Sequence, residues 1–157
     1  MSEHLHLITV DQLRDELTST ELEAIPEQVF GDENASAEEV QVWLMGMLMQ
    51  ACDSVVDAIN TCPRNRKIRT GQLKVPAGCV RTVLVLARHA VISAIPGLAE
   101  TLEGSSRAAE YSTATQTLTR LASCDLVPEY TLDADESSSG ESGVTLVLGN
   151  TLNDYMF

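Results

Sequence analysis

The 157-residue sequence predicts an all-α fold, an antiparallel helical bundle of three to four main helices with an extended C-terminal arm that carries one short β-strand. Hydrophobic residues make up 44% of the chain but aromatic residues only 4%, which favours packed helices over a sheet sandwich. Hydrophobic positions recur at steps of three and four in the long segments. After Pro128 the sequence becomes acidic and Ser-rich, a composition that does not order itself. We therefore predict a helical domain over residues 1–128 and a flexible acidic, Ser-rich tether with a docking strand over residues 129–157.

The first predicted element is a short amino-terminal helix. Thr9 is its expected N-cap, with Gln12 at the spacing of a capping box. Its hydrophobic face consists of Val10, Leu13 and Leu17. We expect this helix to end by Thr18. Pro26 then predicts that no continuous helix runs through residues 18–35, because proline lacks a backbone donor and clashes with the preceding turn.

The second element is a long helix that begins with a capping box at Ser36 and Glu39 and ends before Pro63. Its predicted core positions are Val40, Trp43, Leu44, Met47, Leu48, Ala51, Val55, Ala58 and Ile59. Asp53 and Asp57 are expected on the solvated side. The alternating methionines at 45, 47 and 49 are interpreted as core filling, with a surface-exposed Met-rich interface as the alternative.

A third helix is expected to restart at Val75-Pro76, since proline suits a first helical position, and to end at Pro96-Gly97. Its hydrophobic stripe consists of Val80, Val83, Leu84, Ala87, Val91, Ala94 and Ile95. The breadth of this stripe predicts burial on two sides.

Residues 106–122 predict a final helix. Its inward positions are Ala109, Tyr111, Ala114, Leu118, Leu121 and Ala122. Its many Thr and Ala residues have low independent helix stability, so packing against the other helices must hold it.

Basic residues are concentrated between Asp57 and Glu100, a region without any acid, although the whole chain has a net charge of −13. These residues are Arg64, Arg66, Lys67, Arg69, Lys74, Arg81 and Arg88. Five of them lie in the segment from Cys62 to Val75, which we call the basic linker. Such separation of charge predicts that one end of the molecule meets a partner that its other surfaces repel. Two interpretations of the basic linker stay open: it is a solvated loop, or it is a surface that contacts phosphates or an acidic protein. The linker lacks aromatic residues that stack on bases, which disfavours a free-standing nucleic-acid binder.

The sequence contains no motif for catalysis, for a cofactor or for a metal site. The four cysteines, Cys52, Cys62, Cys79 and Cys124, lack zinc spacing, and we expect reduced thiols in the cytosol. His89, beside Arg88, is interpreted as a surface or interface residue. We predict no secretion signal and no membrane span, and we do not expect an enzyme.

The C-terminal arm contains a run of β-favouring residues with no sheet of its own. The predicted docking residues are Val144, Thr145, Leu146, Val147, Leu148, Tyr155 and Phe157. The backbone donors and acceptors of a lone strand need hydrogen-bond partners, so we expect this strand to pair with the edge of a β-sheet in another chain.

Taken in order, ACDSVVDAIN, the basic linker, VPAGCVRTVLVLARHAVISAI and RAAEYSTATQTLTRLAS resemble the small helical head-tail connector proteins of tailed bacteriophages. The chain is most similar to the Mu-like prophage connector group over about residues 5–127. The matching positions are Val55 to Ile59, Arg66, Pro76, Ala87-Arg88, Arg107, Tyr111, Ala114 and Leu118. The tail from Tyr130 has no counterpart in the group.

This resemblance implies a structural adaptor that is assembled in the host bacterial cytoplasm and is located in the virion neck. It implies a ring, expected to be 12-fold, that binds the portal protein, extends the DNA channel and receives the stopper or tail-completion protein. The basic linker would then meet the portal, a neighbouring subunit or channel DNA non-specifically. The alternative function is a small helical regulatory protein that binds nucleic acid through residues 64–88.

Overall fold

The computed structural model describes residues 5–98 and 106–128, and it is mostly helical, with five α-helices and one two-stranded antiparallel sheet in that part of the chain. The elements in order are β1 (His6–Leu7), α1 (Val10–Asp15), α2 (Ser19–Phe30), α3 (Ala37–Thr61), β2 (Lys74–Val75), a 3-10 turn (Ala77–Cys79), α4 (Val80–Ser93) and α5 (Ser106–Ala122). The helical class is confirmed, and the small sheet was not predicted.

Helix α1 begins at the predicted capping box. The Thr9 hydroxyl oxygen accepts a hydrogen bond from the Gln12 amide at 3.3 Å, and Gln12 Oε1 accepts one from the Thr9 amide at 2.9 Å. The three predicted apolar residues, Val10, Leu13 and Leu17, are buried. Just before the helix, β1 pairs with β2, with His6 opposite Val75. The amino terminus of the described chain is therefore joined to the end of the basic linker.

Helix α2 overturns the prediction that Pro26 interrupts residues 18–35, because it runs through Pro26 as one helix of 12 residues. Proline removes a single intrahelical hydrogen bond there, and tertiary packing offsets that loss. Ile25 is fully buried, and Leu22 packs against the same core. The helix ends at Gly31, whose φ of 70° is a left-handed conformation that suits glycine.

Helix α3 is the central element and has the predicted bounds. The Ser36 hydroxyl caps it by accepting a hydrogen bond from the Glu39 amide at 3.1 Å. It contacts α1, α4 and α5. Its fully buried side chains are Leu44, Leu48, Cys52, Val55, Val56 and Ile59. Within the described residues, α3 has the length and mean hydropathy, 1.3, of a helix able to cross a bilayer, criteria that core helices of soluble proteins also meet.

Helices α4 and α5 complete the core around α3. The broad stripe of α4 is buried as predicted, against α3 on one side and α5 on the other. Two positions of the stripe are exceptions, since Val80 is half-buried and Ala94 is the exposed C-cap of the helix. The predicted restart of the helix at Val75-Pro76 is wrong, because Val75 pairs in β2 and a 3-10 turn follows Pro76 before α4 begins at Val80. Helix α5 has the predicted bounds and buries Ala114 and Leu121, but Ala109, predicted to face inward, is exposed.

Candidate functional site

The basic linker is fixed at its amino end by a disulfide bond between Cys62 and Cys124, whose Cα atoms lie 5.3 Å apart. This corrects the expectation of four reduced thiols. The two cysteines are 62 residues apart in sequence, and they meet because α5 packs on α3 and returns its carboxyl end to the start of the linker. Cys52 and Cys79 are free and buried. Burial raises the pKa of the Cys52 thiol to about 12 and that of Cys79 to about 11, so neither is a ready nucleophile.

Hydrogen bonds from polar side chains fix the middle of the linker. The Asn60 side chain donates to the Ile68 carbonyl at 2.8 Å and accepts from the Ile68 amide at 2.9 Å, as a neighbouring strand would. Asn65 is buried and donates to the Ile59 carbonyl at 2.9 Å. The Asp53 carboxylate accepts from the Gly71 amide at 2.9 Å. These contacts, together with the buried Ile68 side chain, indicate an ordered connection with a defined shape.

The linker presents its charges on the surface of this ordered connection. Lys67, Arg69 and Lys74 are exposed. Lys67 also donates to the Asn60 carbonyl, at 2.5 Å. Arg64 is exposed and donates to the Cys124 carbonyl at 3.1 Å, across the disulfide. The exposed cations of the predicted basic surface thus lie in the part from Arg64 to Lys74.

Arg81 and Arg88 do not extend this surface, which corrects their interpretation as a continuation of the basic linker. The Arg88 side chain is 7% exposed and lies 3.3 Å from Glu16 and 2.5 Å from Glu110. Arg81 binds the same two carboxylates at 2.7 and 2.9 Å. The hydrogen bonds from Arg88 and then Arg81 lower the pKa of Glu110. The two arginines therefore join α1, α4 and α5, Arg88 from a buried position and Arg81 from the surface.

A second internal ion pair joins α5 to α2. Arg107 binds the Glu21 carboxylate, which is 9% exposed. Burial raises the pKa of Glu21, but the hydrogen bonds from Arg107 and the Thr18 amide outweigh it, and the pKa is lowered overall. Glu21 also completes the capping box of α2, since it accepts from the Thr18 amide at 2.8 Å. Arg107, a position matched by the resemblance, is a structural residue here.

The opposite end of α3 is acidic and partly apolar, a feature that sequence reasoning did not identify. No Lys or Arg occurs between Arg14 and Arg64. Five exposed acids surround the start of α3, and they are Glu27, Asp32, Glu33, Glu38 and Glu39. Next along α3 lies an exposed hydrophobic face, the α3 patch, formed by Val42 (64% exposed) and Met45 (41%); Phe30, at the end of α2, is also exposed (37%).

The sequence contained a signal for the α3 patch. Val42, Met45 and Met49 recur at three- and four-residue steps beside the core stripe, which places a second hydrophobic face on α3. Met45 matches the alternative of a surface methionine, while Met47 is half-buried against the core. Trp43 is also half-buried, and its ring meets Phe30 edge-on with centroids 6.5 Å apart.

The described residues contain no cluster of His, Cys, Asp or Glu that could hold a metal ion. A cleft of about 270 Å³ lies between α4 and α5 and is lined mainly by Thr and Ala side chains. Two charged residues also line it, Arg81 and Glu110, and they form an ion pair with each other. His89 stacks on Tyr111 with ring centroids 3.5 Å apart. Burial, and secondly Arg88, lowers the pKa of His89.

The predicted docking arm, Val144 to Leu148 with Tyr155 and Phe157, lies outside the described residues. The described chain ends at Pro128, four residues after the disulfide. Comparison of the chain with protein-family models, with curated proteins and with solved structures finds no match.

Proposed function

We propose that this protein is a structural head-tail adaptor of a tailed bacteriophage, a helical bundle that assembles into a ring on the portal. The ring extends the DNA channel and provides the docking site for the stopper or tail-completion protein. The C-terminal arm adds its strand, Val144 to Leu148, to an edge of the portal or of a neighbouring subunit. The order of the helices and the basic linker along the sequence supports this proposal, because it resembles the order in the head-tail connector proteins.

The observation that carries the proposal is the opposite charge at the two ends of α3. The exposed acids lie at the start of this helix and the exposed linker cations follow its end. A helix of 25 residues separates the two ends by about 37 Å. Surfaces of opposite charge at separate places on one subunit favour a head-to-tail contact between copies, and such a contact closes into a ring when the rotation between subunits allows it.

The α3 patch supplies the apolar part of such a contact. Exposed hydrophobic surface rimmed by charged residues is typical of protein interfaces. In the proposed ring, the patch and the acids around it meet the linker of the next subunit. Lys67 and Arg69 are the cations that face the acids of the neighbour.

The test is a charge-reversal cycle. Glu38→Lys with Glu39→Lys, and separately Lys67→Glu with Arg69→Glu, should each abolish self-association, because each places like charges across the contact. Combining all four substitutions should restore it, since the charges are then exchanged. Light scattering during size-exclusion chromatography measures the mass against the 17.0 kDa monomer.

The matched control reverses two exposed acids of α1 and α2, Asp15 and Glu23, and should leave the mass unchanged. A wild-type chain that stays at monomer mass at every concentration would contradict the ring. A quadruple variant that fails to associate although both reversals abolish association would contradict the head-to-tail contact.

The exposed linker cations also favour the second candidate, a regulatory protein that binds nucleic acid. That function predicts salt-dependent binding of a monomer or dimer to duplex DNA. Its surface is restricted to residues 64–74, because Arg81 and Arg88 are bound to Glu16 and Glu110. Particle imaging separates the two functions, since the adaptor forms rings and the regulator does not.

A further inference from the structure

The described chain ends close in sequence to a disulfide bond that joins the carboxyl end of α5 to the amino end of the basic linker. Cys124 is covalently bonded to Cys62, the first residue of the linker, with 5.3 Å between their Cα atoms. The chain continues four residues to Pro128, a reach of at most about 14 Å. The segment that follows Pro128 is therefore attached near the amino end of the basic linker, where Arg64 bonds the Cys124 carbonyl and Lys67 bonds the Asn60 carbonyl.

The charges of the two segments are complementary. Five acids occur between residues 129 and 141, namely Glu129, Asp133, Asp135, Glu136 and Glu141, and the chain contains no Lys or Arg after Arg120. The linker presents Lys67, Arg69 and Lys74 on its exposed side and has no acid of its own. Opposite charges held within about a Debye length, roughly 10 Å at 0.1 M salt, attract appreciably.

The covalent connection makes this encounter intramolecular. A random-coil chain of about ten residues has a root-mean-square span of roughly 17 Å, and a tether of that span gives an effective concentration in the millimolar range. At such an effective concentration, a contact between the segment and the linker is populated even if the same contact between separate molecules is weak. A polyanion from solution would have to displace the segment before it could bind.

We propose that residues 129–143 are the resident ligand of the basic linker, an internal polyanion that binds Lys67, Arg69 and Lys74 and withholds them from external acidic partners. This inference does not rest on the proposed function, because it concerns a single subunit. Within the proposed ring, the acids at the start of α3 of the neighbouring subunit compete with this segment for Lys67 and Arg69, so the isolated chain needs a higher protein concentration to self-associate than a chain without the acids of the segment.

The chain offers an unusually direct test, because its two lysines, Lys67 and Lys74, both lie in the linker. A carbodiimide joins an amine to a carboxylate in contact with it, without a spacer. On the full chain at low protein concentration, mass spectrometry should find either lysine joined to acids of residues 129–141 within one molecule, and high salt should suppress the product. Lysine products confined to Asp53, Asp57 or Asp125 would overturn the proposal.

A competition experiment measures the effect on an external polyanion, for which a short duplex DNA serves as the probe. Amide substitution of the five acids between 129 and 141 should tighten DNA binding about tenfold, the factor for a linker that is covered nine-tenths of the time. The matched control makes five amide substitutions at exposed acids elsewhere, at positions 11, 15, 23, 27 and 33, and changes the net charge equally. Equal affinities of the two variants would overturn the proposal, because the effect would then follow net charge alone.

Discussion

Reduction of the disulfide between Cys62 and Cys124 should destabilise the folded domain strongly. The bond links residues 62 apart in sequence, and closing a loop of that length removes about 4 kcal/mol of chain entropy from the unfolded state. For a domain of this size, about 4 °C of melting temperature corresponds to each kcal/mol. We therefore expect thermal unfolding, followed by circular dichroism, to move down by about 15 °C in dithiothreitol.

The double variant Cys62→Ala with Cys124→Ala provides the control. It should melt at the temperature of the reduced wild type, and dithiothreitol should have no further effect on it. Cys124 has a left-handed φ of 69°, and alanine at that position bears the same Cβ, so the substitution adds no new backbone strain. Equal melting temperatures of the wild type with and without reductant, or an intact mass that corresponds to four free thiols, would refute the reasoning.

Three further predictions concern internal polar contacts. Arg88→Met should lower the free energy of unfolding by about 2–3 kcal/mol, because it removes a buried cation and leaves Glu16 and Glu110 without that positive partner. Arg81→Met, at a side chain 54% exposed, should lower it by less than about 1 kcal/mol. Urea unfolding measures both changes, and equal changes would contradict the burial argument. The lowered pKa of Glu110 stabilises the fold above its ordinary value of 4.5 and loses that contribution as the pH falls, so acid unfolding should begin at higher pH in Arg88→Met. Asn60→Ala should cost about 1–3 kcal/mol and speed amide hydrogen exchange at Ile68, and unchanged exchange would show that the side chain does not hold the linker.

Features that depend on neighbouring residues could be predicted from the sequence. Thr9 and Ser36 cap their helices by contacts within three residues, and the bounds of α3 and α5 follow from hydrophobic spacing. These interactions use information that lies within a few turns of one helix. The prediction of inward-facing residues is wrong at Ala109, which is exposed, because so small a side chain loses little when it stays in water.

Features that depend on distant residues could not be predicted from the sequence. Pro26 follows a local rule that disfavours helix, but α2 is held by packing of Ile25 in the core. Arg88 resembles an extension of the basic linker until Glu16, 72 residues away, is placed beside it. Cys62 and Cys124 have no spacing signal, because the packing of α5 on α3 brings them together.

The pairing of β1 with β2 affects the order in which a newly made chain can fold. His6 and Leu7 leave the ribosome before their partners, Val75 and Lys74, which follow almost 70 residues later. At synthesis rates of about 5–20 residues per second, the first strand waits roughly 3–14 s for its partner. During that interval α1 and α2 are complete in sequence but have neither α4 nor α5 to pack against. The amino-terminal segment thus takes its native place only after the ribosome has delivered the end of the linker.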